Sequence, residues 1–248
     1  MAKNLQYYNL ELLKIPSRLI NAPGKNSENI SNRCVEITRG KEIVGIIQEP
    51  GYGIGTGINL FKRATRFEHF DFLCTKTITT NEILLAILRK CTENVVELGD
   101  TIDDHLVNAL AYLFKEELDK SHRPNKIIIL RGVENLNQNG LSTLELMTRQ
   151  MNGIIGILFT ISDSDYNDRI LGQGDKKKYL KDLTTRVKWE RIDPPSPEDL
   201  AAYCFKRGVL GEKIILKLIS KYPDYKLLGH KIDEIRDSFI KEGYIKSN

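Results

Sequence analysis

"QEPGYGIGTGINLFKR", residues 48–63, follows directly on the apolar run "EIVGII". A strand that runs into a glycine-rich turn and then a helix is the layout of a phosphate-binding loop, G-x-x-G-x-G-K-[ST]. Such a loop points consecutive backbone N–H groups at an anion, and the helix dipole adds about half a positive charge. Gly51 and Gly53 are in place, but Ile54 stands at the lysine position and Gly55 at the Ser/Thr position. The candidate nucleotide-binding set is therefore Pro50, Gly51, Tyr52, Gly53, Ile54, Gly55, Thr56 and Gly57. Its backbone apparatus is complete. It lacks the ammonium that neutralises the β and γ phosphates and the hydroxyl that holds Mg²⁺; Thr56 comes one place late. Two readings stay open: a loop that binds nucleotide, with ATP as the candidate cofactor, and a turn kept for tight strand–helix packing.

Outward from this stretch, four apolar runs have strand length: 43–47 "IVGII", 70–75 "FDFLCT", 126–130 "KIIIL" and 154–160 "IIGILFT". Near-continuous apolar runs suit strands covered on both faces, as in a parallel sheet. Between them the spacing predicts helices in 81–91, with Ile83, Leu84, Ile87 and Leu88 inward, and in 101–121, with Ile102, Leu106, Leu110 and Leu113 inward. A third covers 141–151, turning Leu141, Leu144 and Met147 or Met151 to the core. The alternation implies an α/β doubly wound sheet whose ligands lie at the carboxyl ends of its strands. Before it, residues 1–30 read as a polar extended arm, and 29–40 as a short helix stopped by Gly40. After Pro194, Pro195 and Pro197 the pattern is helical only, over 196–208, 211–222 and 231–244. The expected organisation is an arm (1–30), an α/β core (31–193) and a small helical lid (194–248).

Composition narrows the functional classes. At 248 residues, 41% hydrophobic and 28% charged, the chain can bury a core. Its net charge of +4 permits a polyanionic partner without requiring one. No run is long enough to span a bilayer, the N-terminus has no uninterrupted apolar segment, and the four cysteines are scattered. A cytoplasmic protein with reduced, buried thiols and no membrane partner is expected. His69, His105, His122 and His230 are isolated from one another and from cysteine, so no metal site is expected. The cluster "GDKKKYLKD" at 174–182 reads as a solvated helix start.

The third strand carries a second departure. A hydrolytic phosphate loop is paired with a strand ending in Asp, often followed by Glu, which holds Mg²⁺ and aligns water. Here "KIIIL" ends in Arg131-Gly132, and the first carboxylate is Glu134. A cation at the metal position repels the metal, so turnover is expected at background level.

The segments "GIIQEPGYG", "NKIIILRGVENLNQNGLSTLELMTRQMNGIIGILFTIS" and "LTTRVKWERIDPPSPEDLAAYCFKRGV" together resemble an AAA+ ATPase. The likeness runs over residues 30–245 and is nearest to the DNA-transposition regulators TnsC, MuB and IstB. It implies a P-loop NTPase-like parallel sheet flanked by helices, with a small C-terminal helical lid, and degenerate Walker A and Walker B motifs. It also implies residue roles. Glu134 matches a later acid of the Walker B passage, Thr160 or Ser162 holds the sensor position, and Arg186 resembles the arginine that reaches a neighbouring subunit's nucleotide. By the same resemblance, DNA contacts fall to Lys76, Thr77 and Thr79 after the second strand and to Lys62, Arg63 and Arg66 after the loop helix. The expected partners are duplex DNA held by its backbone, the chain itself or an AAA+ paralogue, and a transposase. A working ATPase with an atypical loop, using Thr56 and Glu134, and a nucleotide-independent scaffold remain the alternatives.

Overall fold

A computed structural model describes residues 24–92, 102–121, 125–171, 181–209 and 211–241. The expected arm lies outside them up to residue 23, and the basic cluster at 174–182 lies outside the residues whose side chains are described. The elements run α1 (Lys25–Gly40), β1 (Ile43–Ile47), α2 (Ile54–Ala64), β2 (Glu68–Leu73), α3 (Thr80–Thr92), α4 (Asp103–Ser121), β3 (Lys126–Arg131) and α5 (Gln138–Gln150). They continue with β4 (Gly156–Ile161), the single turn α6 (Asp163–Asp165), α7 (Lys181–Arg186), β5 (Lys188–Arg191), α8 (Pro197–Lys206), α9 (Glu212–Ile219) and α10 (Tyr225–Lys241).

Residues 32–48 and 61–192 form one compact unit around the sheet. Its five strands are all parallel, in the order β2-β3-β4-β1-β5. β1 and β4 are buried at every position, which is why their sequences run apolar without alternation. The expected inward faces of α3 and α5 are buried, but α4 turns differently. It buries Leu106, Val107, Leu110, Ala111 and Phe114 and leaves Ile102 63% exposed just ahead of its first turn. Thr80, Asn81 and Thr143 all donate to the Asp103 carboxylate (2.7–3.0 Å), pinning α3 and α5 to the start of α4. At the sheet's other edge β5, "KWER", is a strand outside the four apolar runs. Its Trp189 lies across Gly45, where an added Cβ would come within 2.1 Å of the ring. The indole N–H donates to the Leu183 carbonyl (2.7 Å), and the ring meets Tyr166 at 4.9 Å.

The second unit comprises the described residues of 24–31, 49–60 and 193–241. Leu200, Tyr203, Cys204, Leu218, Tyr225, Leu228, Ile232, Ile235 and Phe239 make its core. α8 opens with a capping box: Ser196 accepts from Asp199 N–H, and the Asp199 carboxylate accepts from Ser196 N–H. α1 begins at Lys25, so residues 25–30, read as arm, are helical. Small polar residues hid its buried stripe of Ser27, Ile30, Ser31, Cys34 and Thr38. Cys34, Cys74 and Cys204 are free and buried, and burial pushes the Cys34 and Cys74 thiols up to about 12.

Candidate functional site

The loop after β1 keeps the backbone form that its glycines suggest. Gly51 and Gly53 have φ of 103° and 100°, a region that side chains with a Cβ rarely enter. α2 opens at once, with Gly57 N–H donating to Gly53 O at 2.9 Å. Three of the four glycines are also held by neighbours in the same unit. A Cβ on Gly57 would lie 2.7 Å from Ile30 Cβ and from the Ser27 carbonyl. At Gly53 the neighbour is Ser27 Oγ, which donates to the Gly53 carbonyl at 3.0 Å. At Gly51 it is the Asp224 carboxylate, 2.6 Å from an added Cβ. Gly55 differs: nothing lies within 4 Å of its Cβ position. Pro50 and Thr56 are exposed, and Ile54 is partly exposed. Burial first, then the charges of Glu49 and Asp224, hold the Tyr52 hydroxyl above its ordinary range.

At the end of β3, Arg131 is committed to an ion-pair cluster. The Asp71 side chain, 5% exposed, lies 2.9 Å from Arg131 Nε and 3.0 Å from Lys62 Nζ. The Arg131 N–H is not aligned on the Asp71 oxygen, so this contact is an ion pair without a completed hydrogen bond. Lys62, expected on DNA, thus balances a buried carboxylate. Beyond the strand, Gly132 takes φ 72° and donates to both oxygens of Thr160, the hydroxyl at 2.9 Å. The sensor candidate is thereby tied to the exit of β3. Ser162, the other sensor candidate, caps the turn Asp163–Asp165, accepting from Asp165 N–H and donating to its carboxylate (2.6 Å).

The chain gathers two separately expected groups in one cleft of about 620 Å³, bordered by Lys76, Ile78, Thr79, Glu134, Asn137 and Arg169 among others. Glu134 lies in the turn Val133–Asn135, with Oε2 buried and without a hydrogen-bond partner. Burial holds its carboxyl above the usual range, reinforced by Asp165 and opposed by Arg169. Arg169 donates to the carbonyls of Glu134 and Leu136, fixing the turn. Lys76 and Thr77 are exposed on the loop after β2. Thr79 caps α3, its N–H and hydroxyl both donating to Glu82 (2.7 and 2.9 Å). Arg63 near the end of α2, Arg66 between α2 and β2, and Arg186 at the end of α7 are exposed.

Asp71 and Asp224 are the residues that motif reading passes over. The signal for Asp71 is present: an acid inside the apolar run "FDFLCT" needs a cationic partner once both faces are covered. Asp224 offers only a helix-start signal, accepting from Leu227 N–H at 2.8 Å.

No protein-family model matches the sequence. No curated protein matches it either. Solved structures do. Aeropyrum pernix Orc1 in complex with DNA is 13% identical at a TM-score of 0.57, covering 89% of this chain and 61% of that one. The Thermotoga maritima RuvB Holliday junction branch migration motor is 10% identical at 0.52, covering 91% and 68%. A variant of the same RuvB scores 0.55 at the same identity and coverage. This chain thus spans less than two thirds of Orc1. At these identities the likeness is one of fold: a parallel sheet flanked by helices, as in these AAA+ P-loop ATPases. Among the described residues, no helix is long and apolar enough to cross a membrane.

Proposed function

We propose that this chain is a DNA-binding assembly protein on an AAA+ fold that does not turn over ATP. It assembles with itself or with an active paralogue and, in line with its resemblance to transposition regulators, recruits or regulates a transposase. The observation that carries the reading is Arg131, a guanidinium paired to Asp71 at the strand end where hydrolytic relatives of this fold place a metal-binding acid. The side chains around the loop do not fit a magnesium-bound triphosphate. Ile54 offers no ammonium, Gly55 no hydroxyl, and Asp224 sets a negative charge against Gly51. Each missing phosphate or metal contact removes several kcal/mol from the reaction path, about the size seen when one preorganised donor is lost.

DNA enters the reading through the neighbours in fold: one was solved with DNA, and the other is named for work on a Holliday junction. In this chain the exposed Lys76 and Thr77 after β2, with Arg63 and Arg66, supply phosphate contacts. Such contacts are sequence-tolerant and weaken steeply with salt. Phosphate release and fluorescence anisotropy with labelled duplex test both halves. Release stays at background in the native chain and in Glu134→Gln. Lys76→Glu weakens every duplex alike and lowers the slope of log affinity against log salt by about 1. Steady turnover abolished by Glu134→Gln overturns the first half, and no duplex binding at low salt overturns the second.

A further inference from the structure

The glycine loop has lost its lysine, but the structure places something else against it. Asp224, at the start of α10, brings Oδ1, Cγ and Cβ to 2.6, 2.9 and 3.2 Å from the Cβ position of Gly51. The carboxylate is fixed there: it caps α10 through Leu227 N–H, and the following Leu228 N–H bonds the Asp224 carbonyl at 3.0 Å. Tyr225, next in sequence, is buried in the unit's core and meets Tyr203 at 5.1 Å, so α10 cannot shift freely at this end. Glu49, ahead of Pro50, adds a second negative charge, and the Tyr52 hydroxyl feels both acids.

We propose that Asp224 is a built-in anion barrier: a carboxylate of the chain itself, held by the start of α10 against the glycine loop, that excludes phosphates from the backbone donors of residues 51–56. A phosphate approaching the loop beside Gly51 meets a like charge on a carboxylate that is only partly exposed. The barrier makes a second, independent obstacle beside the missing ammonium at Ile54. Restoring the motif's letters alone therefore does not restore the site. At Gly55 the first side-chain atom of a restored threonine has room, because an added Cβ meets nothing within 4 Å. The inference rests on the reading of 48–57 as a phosphate loop stripped of its side chains; it does not rest on DNA binding.

The test titrates Mg-ATP and, separately, tripolyphosphate by calorimetry into four proteins: native, Asp224→Asn, the pair Ile54→Lys with Gly55→Thr, and the triple variant. Asparagine keeps the helix cap while removing the charge. The native chain shows no saturable binding at millimolar ligand. The triple variant binds at least about tenfold more tightly than the pair, the scale of one removed like-charge contact. Equal affinity of pair and triple overturns the proposal, as does a triple variant that melts like the native chain but binds nothing. Should the triple variant not fold, Asp224→Asn alone decides. At matched ionic strength its melting temperature rises with tripolyphosphate more than the native one does, and identical responses overturn the barrier. Duplex affinity measured on the same samples keeps the two readings apart. It is unchanged by Asp224→Asn if both hold, and its absence in the native chain fails the DNA reading alone.

Discussion

The loop after β1 and the exit of β3 differ from the letters of a hydrolytic motif in opposite ways. The loop has the glycine backbone, with Gly51 and Gly53 at positive φ, without the lysine and hydroxyl. The strand exit carries a cation that side chains balance, Arg131 and Lys62 both pairing with Asp71. The difference lies in what else each feature supports. Gly51 and Gly53 hold a left-handed turn, and Gly57 lets α2 lie against the first turns of α1, so these glycines are required by packing with no ligand at all. Retained glycines are then weak witnesses to a bound anion. A part-buried strand-end cation such as Arg131 has no neutral fallback, and its counter-charge is found within the unit.

Asp71→Ala has the greatest effect on the protein. It leaves two part-buried cations on one empty position and destabilises by about 3 kcal/mol, read by urea denaturation. A loss below ~0.5 kcal/mol shows the cluster to be a solvated surface pair. The loop separates next, glycine by glycine. Gly57→Val forces a side chain into Ile30 and the Ser27 carbonyl and costs about 1–3 kcal/mol. Gly55→Ala goes the other way, stabilising α2 by roughly 0.5–1 kcal/mol, since its space is open and its φ ordinary. Equal losses at the two positions would mean that packing does not distinguish them. For the same reason Gly53→Val, at φ 100°, disturbs the loop itself and not only what the loop binds.

The smallest effect is one of pH. Burial holds Glu134 above the usual carboxylate range, so its contribution is present below the unfolded value and is lost as pH rises through the folded one. Glu134→Gln therefore matches the native chain in acid and becomes the more stable protein as pH rises. Glu190 has the opposite sign. Burial pushes it up, but the Arg33 hydrogen bonds and charge, with Lys188, outweigh this and leave it depressed. Its contribution is present above the unfolded value and fades as pH falls through the folded one. Chemical denaturation of Glu134→Gln and Glu190→Gln across acid to neutral pH checks both signs.

The sheet was legible because β1, β3 and β4 are buried on both faces and must be apolar. β5 was not: an edge strand written Lys-Trp-Glu-Arg carries no apolar run, and its place is set by Trp189 lying over Gly45. The start of α1 was obscured because serines on its buried face read as loop. At the candidate site the motif letters at Ile54, Gly55 and Arg131 can be read from sequence, whereas Asp71 and Asp224 act through partners 60 and 173 residues away, at Arg131 and Gly51. Lys62 shows the same limit: its pairing with Asp71 could not be read from a basic residue on a helix.

Trp189 also gives the protein an optical handle. It is the sole tryptophan of the chain, stacked on Gly45, edged by Tyr166 and hydrogen-bonded to Leu183, all within the sheet unit. Its emission therefore reports loss of the β1–β5 seam, while the α8–α10 core contributes helical circular dichroism and tyrosine signals from Tyr203 and Tyr225. Coincident fluorescence and dichroism transitions on denaturation would mark the two units as one cooperative system, and separated ones as two.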